Sequence, residues 1–166
     1  NGNAYPSAGP LSNRNLVING AMQVWQRGTS STSNGYQTVD RFSSSSNGGT
    51  VTRSQVSLTS GSPFDEGLRY FYRHTNTSGT GLTDGYRFFY HAIEGQDIAQ
   101  SGWNYPSSSS FITLSFWVRS SVSGTYYGYF LTQGGTQYMY PFEFTLAADT
   151  WTKITKTIPG FASLSV

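Results

Sequence analysis

The sequence predicts an all-β, antiparallel fold, and three observations carry that prediction. Short runs rich in Val, Ile, Thr, Tyr, Phe and Trp recur between Gly, Ser and Asn clusters. From Asn15 onward no window repeats apolar residues at i, i+3, i+4 and i+7, so no amphipathic helix is expected. In "ITLSFWVRSS", Ile112, Leu114, Phe116 and Val118 alternate with Thr113, Ser115, Trp117 and Arg119, the period of a strand with one buried face.

Residues 1–13, "NGNAYPSAGPLSN", mix Gly, Pro, Ser and Asn without apolar periodicity and are expected to form an extended arm or linker. Residues 14–166 are read as one β-sandwich domain, since a chain of 166 residues is long enough for one core and nothing requires a second. Strands are expected at Leu16 to Val24, Thr38 to Ser43, Thr50 to Gln55, Leu68 to Tyr72 and Gly85 to Glu94. Four more are expected at Phe111 to Ser120, Thr125 to Thr132, Gln137 to Thr145 and Thr150 to Ile158. Gly134-Gly135, between two aromatic-rich runs, supplies the positive φ angles of a tight hairpin turn. Strands at this spacing without helical crossovers favour a sandwich or barrel, and a jelly-roll β-sandwich is the first choice.

Composition narrows the function. Charged residues are 11% of the chain, against roughly 25% in an average soluble domain, while aromatics reach 16%. The net charge is +2, and no stretch concentrates the arginines or the two lysines, Lys153 and Lys156, so no nucleic-acid footprint is expected. Cysteine is absent, which removes disulfides and Cys-based chemistry. Apolar runs such as "LVI" and "FWV" are too short for a transmembrane helix, and no membrane insertion is expected. The chain opens at Asn1 rather than Met, which suggests an excerpt of a longer or processed protein.

Two stretches carry a resemblance. "NLVINGAMQVWQRGTS…GYQTVDRF" resembles the opening of a β-sandwich domain frequent in bacteriophage tail-fibre and other virion structural proteins, particularly of marine phages. "IEGQDIAQSGWNYPSSSSFITLSFWVRSSVSGTYYGYFL…DTWTKITKTIPG" resembles the middle of galactose-binding or carbohydrate-binding-module-like jelly rolls. Domains of that type continue past the "TIPG" element with closing strands, so a sandwich incomplete at its C-terminus is expected, completed by further residues or a neighbouring subunit. The resemblance implies a virion component acting in assembly and host-surface attachment, located in the extracellular particle. Its implied partners are other virion proteins, further copies of itself and a cell-surface glycan.

Each candidate residue has a structural and a functional reading. Asp40 and Arg41 adjoin on an expected strand and so point to opposite faces; a structural role is favoured, Asp40 holding loop N–H groups and Arg41 stacked or paired. Trp25, with Arg27 beside it, lies where the first expected strand ends, and a sandwich plug is favoured there over a ligand platform. Tyr36 opens the Tyr-(x3)-Asp-Arg-aromatic element and is read as structural with them. In "AQSGWNYPSSSS", Trp103 and Tyr105 offer faces to stack on a pyranose while Asn104 bonds its hydroxyls; an anchored loop is the equal alternative. Tyr126, Tyr127, Tyr129, Tyr138 and Tyr140 form a second candidate face, with core and cross-strand pairing as the alternative.

No catalytic residue is assigned. Asp65, Glu66, Asp84, Glu94, Asp97, Glu143 and Asp149 would need a pair roughly 5–9 Å apart for glycoside hydrolysis, which spacing in sequence does not supply. His74 and His91 have neither a His-x-x-x-His nor a Gly-x-Ser-x-Gly context. No Asp-rich loop of calcium-site density occurs, so neither metal nor cofactor is expected.

Overall fold

The computed structural model describes residues 15–78, 85–133 and 137–160. The expected arm at residues 1–13 and the Gly134-Gly135 turn lie outside them. The described residues are mostly β, with 46% strand and 7% helix, and the named sheets are antiparallel. It divides into two compact units, one spanning Val17–Ile93 and the other running from Glu94 onward with Asn15 and Leu16.

The first unit holds β1 (Ser30–Ser31), β2 (Phe42–Asn47), β3 (Val51–Ser57), α1 (Ser62–Asp65), β4 (Tyr70–Asn76) and β5 (Tyr86–His91). β1, β3 and β4 form one sheet in that order, and β2 pairs with β5 in another. The hairpin β3–β4 is thus nested in sequence inside the pair β2–β5. The chain passes between sheets at Gly48 and Gly49, whose φ angles of 73° and 93° suit glycine. In register, Arg53 pairs with His74 and Gln55 with Tyr72 on one sheet, and Ser44 pairs with Phe89 and Ser46 with Arg87 on the other. These two faces meet: Tyr72 stacks on Phe89 at 4.2 Å, and Arg87 Nε donates to Asn76 Oδ1 at 2.9 Å.

Arg53 lies at the centre of this interior, 0% exposed. Its Nε donates to Ser44 Oγ, one terminal nitrogen to the carbonyls of Thr32 and Val51, and the other to Asn34 Oδ1 and Ser46 Oγ. Every guanidinium direction therefore meets an acceptor, which is what a buried charge without a carboxylate needs. Asn34 in turn extends the β2 ladder with its side chain, accepting from Ser46 N at 3.0 Å and donating to Ser46 O at 3.1 Å.

The second unit holds α2 (Gly95–Gln100), β6 (Phe111–Val118), β7 (Gly124–Leu131), β8 (Met139–Leu146) and β9 (Thr152–Pro159). β7 pairs with β8 and β6 with β9, again a hairpin nested within an outer pair. The alternation read in β6 holds: Ile112, Leu114 and Phe116 sit opposite Ile158, Lys156 and Ile154, and Ile154 and Ile158 are buried. Phe116 meets Phe144 of β8 edge-on at 5.6 Å, joining the two ribbons. Gly128 is needed under Phe142, whose ring occupies the space a Cβ would take.

Three expectations are corrected. Leu16 to Val24 contains no strand: Asn19 and Met22 have φ of 59° and 53°, and Asn19 Oδ1 accepts from the N–H groups of Gln23 and Val24. A side chain has taken the donors a ladder would use. The strand expected at Thr38 starts at Phe42, and Asp40 and Arg41 lie in the preceding turn, Arg41 at φ 71°. Two short helices, α1 and α2, also occur where none was expected.

Candidate functional site

The opening element is a structural knot. Asn19 Nδ2 donates to the carbonyls of Val24 and Asp40 at 3.0 Å each, and Asp40 N donates to Val24 O at 3.0 Å, so the two turns are tied together. Arg27 Nη1 reaches Asp40 Oδ1 at 3.3 Å. The Arg27 side chain is 55% exposed, so this pair is screened and contributes about 0.5 kcal/mol. Trp25 donates through Nε1 to Met22 O and stacks, half-buried, on Tyr72 with centroids 6.3 Å apart.

The loop holding Trp103, Asn104 and Tyr105 is internally tied. Trp103 Nε1 donates to Ser110 O at 3.2 Å, Asn104 N to Ser110 Oγ at 3.1 Å, and Ser107 N to Asn104 O at 2.9 Å. Trp103 and Tyr105 are half-buried, and their rings lie 63° apart at 6.4 Å, so one pyranose cannot stack on both. Gly160 closes the loop from below. Its N–H donates to Ser110 O at 2.8 Å, and a Cβ there would overlap the carbonyls of Tyr105, Ser107 and Asn104.

The tyrosines of the second unit separate by strand alternation. Tyr126 pairs with Phe144 and Phe130 with Tyr140 on the face that carries Phe144 toward Phe116, whereas Tyr127 pairs with Glu143 and Tyr129 with Pro141 on the opposite face. Tyr127 is 76% exposed. The outer face of β7–β8 therefore offers an accessible phenol beside a carboxylate, Glu143.

The first unit has a second aromatic face that the sequence reading did not single out. Along β5, Tyr86, Phe88 and Tyr90 occupy alternate positions opposite Asn47, Ser45 and Ser43, on the side away from Arg53. Tyr86 and Phe88 stack at 4.9 Å, and Tyr36 meets Tyr90 edge-on at 6.5 Å. All four are exposed by 40% or more. The signal that would have found this face is "YRFFYH" itself, in which Tyr86, Phe88 and Tyr90 share one side of a strand whose other side carries Arg87, Phe89 and His91.

Among the described residues, no group of three or more His, Asp or Glu side chains is placed to hold a metal ion, and no helix is long and apolar enough to cross a membrane. No family model, no curated protein and no solved structure matches this chain.

Proposed function

We propose that this chain is a non-enzymatic structural domain of a bacteriophage virion, a tail-fibre, appendage or capsid-decorating element, wound as a jelly-roll β-sandwich and assembled with copies of itself. The observation that carries the reading is the aromatic face of Tyr36, Tyr86, Phe88 and Tyr90 on a chain with 11% charged residues. The jelly-roll winding is supported by the two nested strand pairings, β3–β4 within β2–β5 and β7–β8 within β6–β9.

Magnitude decides what kind of contact this face supports. Four aromatics exposed by about two-fifths present about 300 Å² of apolar surface, the lower end of the size range of the largest patch on a typical monomer, which is often a functional one. Covering it gains about 8 kcal/mol gross at 25 cal/mol per Å². Two such patches bury about 600 Å² in total, below the roughly 1,200 Å² of a stable interface, so one face is an anchor within a repetitive assembly rather than a self-sufficient dimer contact. Sparse charge suits this, because Ser, Thr and Tyr cost less to desolvate at an interface than Lys or Glu.

Host-surface attachment through a glycan is an added activity, favoured by Tyr127 standing 76% exposed opposite Glu143. The assembly reading is tested by sedimentation and light scattering over a concentration series. A symmetric oligomer is expected, with its dissociation constant raised at least about tenfold in a Phe88→Ser/Tyr90→Ser variant, which removes roughly 100–200 Å² of contact. A monomer at the highest concentration attainable overturns it, as does an oligomer indifferent to both substitutions.

A further inference from the structure

The interior of the first unit contains groups that neither the assembly reading nor ordinary core packing uses. His74 Nε2, both ring nitrogens of His91 and the hydroxyl of Tyr72 are buried without a hydrogen bond of ordinary geometry, although the Ile18 backbone lies beside His91 and Ser44 and Arg53 lie beside the Tyr72 hydroxyl. They flank one continuous aromatic stack. Trp25 stacks on Tyr72, Tyr72 on Phe89 and Phe89 on Phe42; His74 meets Tyr72 edge-on at 6.0 Å and His91 meets Phe42 edge-on at 4.8 Å. Since Trp25 and Phe42 belong to the opening segment and β2, and Tyr72 and Phe89 to β4 and β5, the stack holds the two sheets face to face.

Among the described residues, the charges that shift the two imidazoles are arginines. Arg53 on β3 and Arg87 on β5 act on His74, and Arg41, in the turn before β2, acts on His91. From β4 itself the neighbour is the neutral Tyr72, and β2 presents Phe42, Ser44 and Ser46. Asp40, the carboxylate of the nearby turn, is engaged by Arg27. A proton added to either ring would thus enter a half-buried seam that already holds a buried guanidinium and whose charged neighbours named above are cations.

We propose that the seam between the two sheets of the first unit is an acid-operated latch, closed while His74 and His91 are neutral and opened when they take up protons. Opening would unstack Tyr72 and Phe89 and expose Phe42 as the surroundings acidify. The proposal does not rest on the virion reading, since it concerns only how this unit responds to protons.

Burial, helped by Arg53 and then Arg87, pushes the His74 imidazole down to about 4 from its ordinary 6.5. Burial lowers His91 as well; the adjacent Ile18 backbone opposes that and Arg41 reinforces it. A group held below its unfolded value leaves the unfolded state binding more protons. The stability it contributes is therefore complete above pH 6.5 and is lost as pH falls toward about 4. For His74 the linkage corresponds to a loss of up to about 300-fold in the folding equilibrium; with the ring only half-buried, solvent screening brings the expected loss to the order of ten- to a hundredfold.

The test uses the whole chain, which has two histidines, so both imidazole signals are resolvable by NMR. A titration from pH 7.5 to 4 is followed by imidazole Cε1–H shifts and by near-ultraviolet circular dichroism of the aromatic stack, with His74→Gln assigning the signals. The expected result is that His74 stays neutral through pH 6 and takes up its proton in the same step, near pH 5, in which the aromatic signal collapses. In His74→Phe/His91→Phe that step should move down by about one pH unit or more. If the double variant does not fold, the wild-type titration alone decides. Titration of His74 near pH 6.5 with the aromatic signal intact overturns the proposal, and so does a collapse at unchanged pH in a folded double variant.

Discussion

Replacing Arg53 by Met should destabilise the first unit by about 4 kcal/mol. The figure follows from what each acceptor has left. Asn34 Oδ1 and Ser46 Oγ keep each other at 3.2 Å, and Asn34 Oδ1 also keeps Ser46 N, so these survive the loss of the guanidinium. Ser44 Oγ, buried, and Thr32 O, part-buried, lose a charged donor, each such bond contributing about 1.5–3 kcal/mol, while the longer contact to Val51 O at 3.4 Å adds little. Against this stands the desolvation of a cation that has no carboxylate partner, a cost Met removes. The balance favours Arg because guanidinium is weakly hydrated and its five N–H groups are all engaged. In urea, with a slope of about 2 kcal/mol per M, the midpoint should fall by about 2 M at unchanged slope. Arg53→Lys should do no better, since three donors on a compact, strongly hydrated ammonium replace five in a planar fork. A Met variant whose midpoint moves by less than about 0.5 M would refute the reasoning, because desolvation of the charge would then equal the whole hydrogen-bond network.

Gly160→Ala should loosen the Trp103 to Ser110 loop by about 2 kcal/mol or more, because its methyl would overlap three carbonyl oxygens that cannot rotate away as a side chain end can; thermal unfolding and Trp fluorescence measure it, and an unchanged melting temperature counts against the packing described. Tyr127→Ala should leave stability within about 0.5 kcal/mol, since the ring is 76% exposed, yet abolish binding on a glycan array probed with a multivalent form. Loss of binding on Trp103→Ala with Tyr127→Ala inert would return the site to the loop, and silence of the wild-type array would remove the glycan reading.

Much of the strand content was legible because alternation is a local signal. Ile112, Leu114, Phe116 and Val118 could face one way in no other conformation, and the partner β9 carries its own alternation in Ile154 and Ile158. The aromatic runs either side of residues 134–135 likewise announced the β7–β8 pair, whose register now separates Tyr126 and Tyr140 from Tyr127 and Tyr129. β2 was only partly legible: "FSSSSN" has little intrinsic preference for strand, and it extends because Asn34 and β5 supply partners from 12 and more residues away.

The opposite error at Leu16 to Val24 has an equally physical origin. "LVINGAMQV" looks like a strand by residue type, but Asn19 adopts positive φ and captures the N–H groups of Gln23 and Val24, a choice stabilised by its further bonds to Asp40. Of the candidate site, the 63° angle between the rings of Trp103 and Tyr105 and the exposed side of β5 could not be read from local pattern, because both depend on how distant segments pack.

What the sequence determined by itself is therefore the period of the alternating strands, such as β6 and β9, and the sparse charge of the chain, since both are properties of neighbouring residues. Which strands pair, that two hairpins nest inside outer pairs, and that an arginine rather than an aliphatic side chain fills the centre of one interior were decided by tertiary structure. The physical reason is that a buried guanidinium is tolerable only when Thr32, Asn34, Ser44 and Ser46 converge on it from different segments, a condition no local pattern in the chain can express.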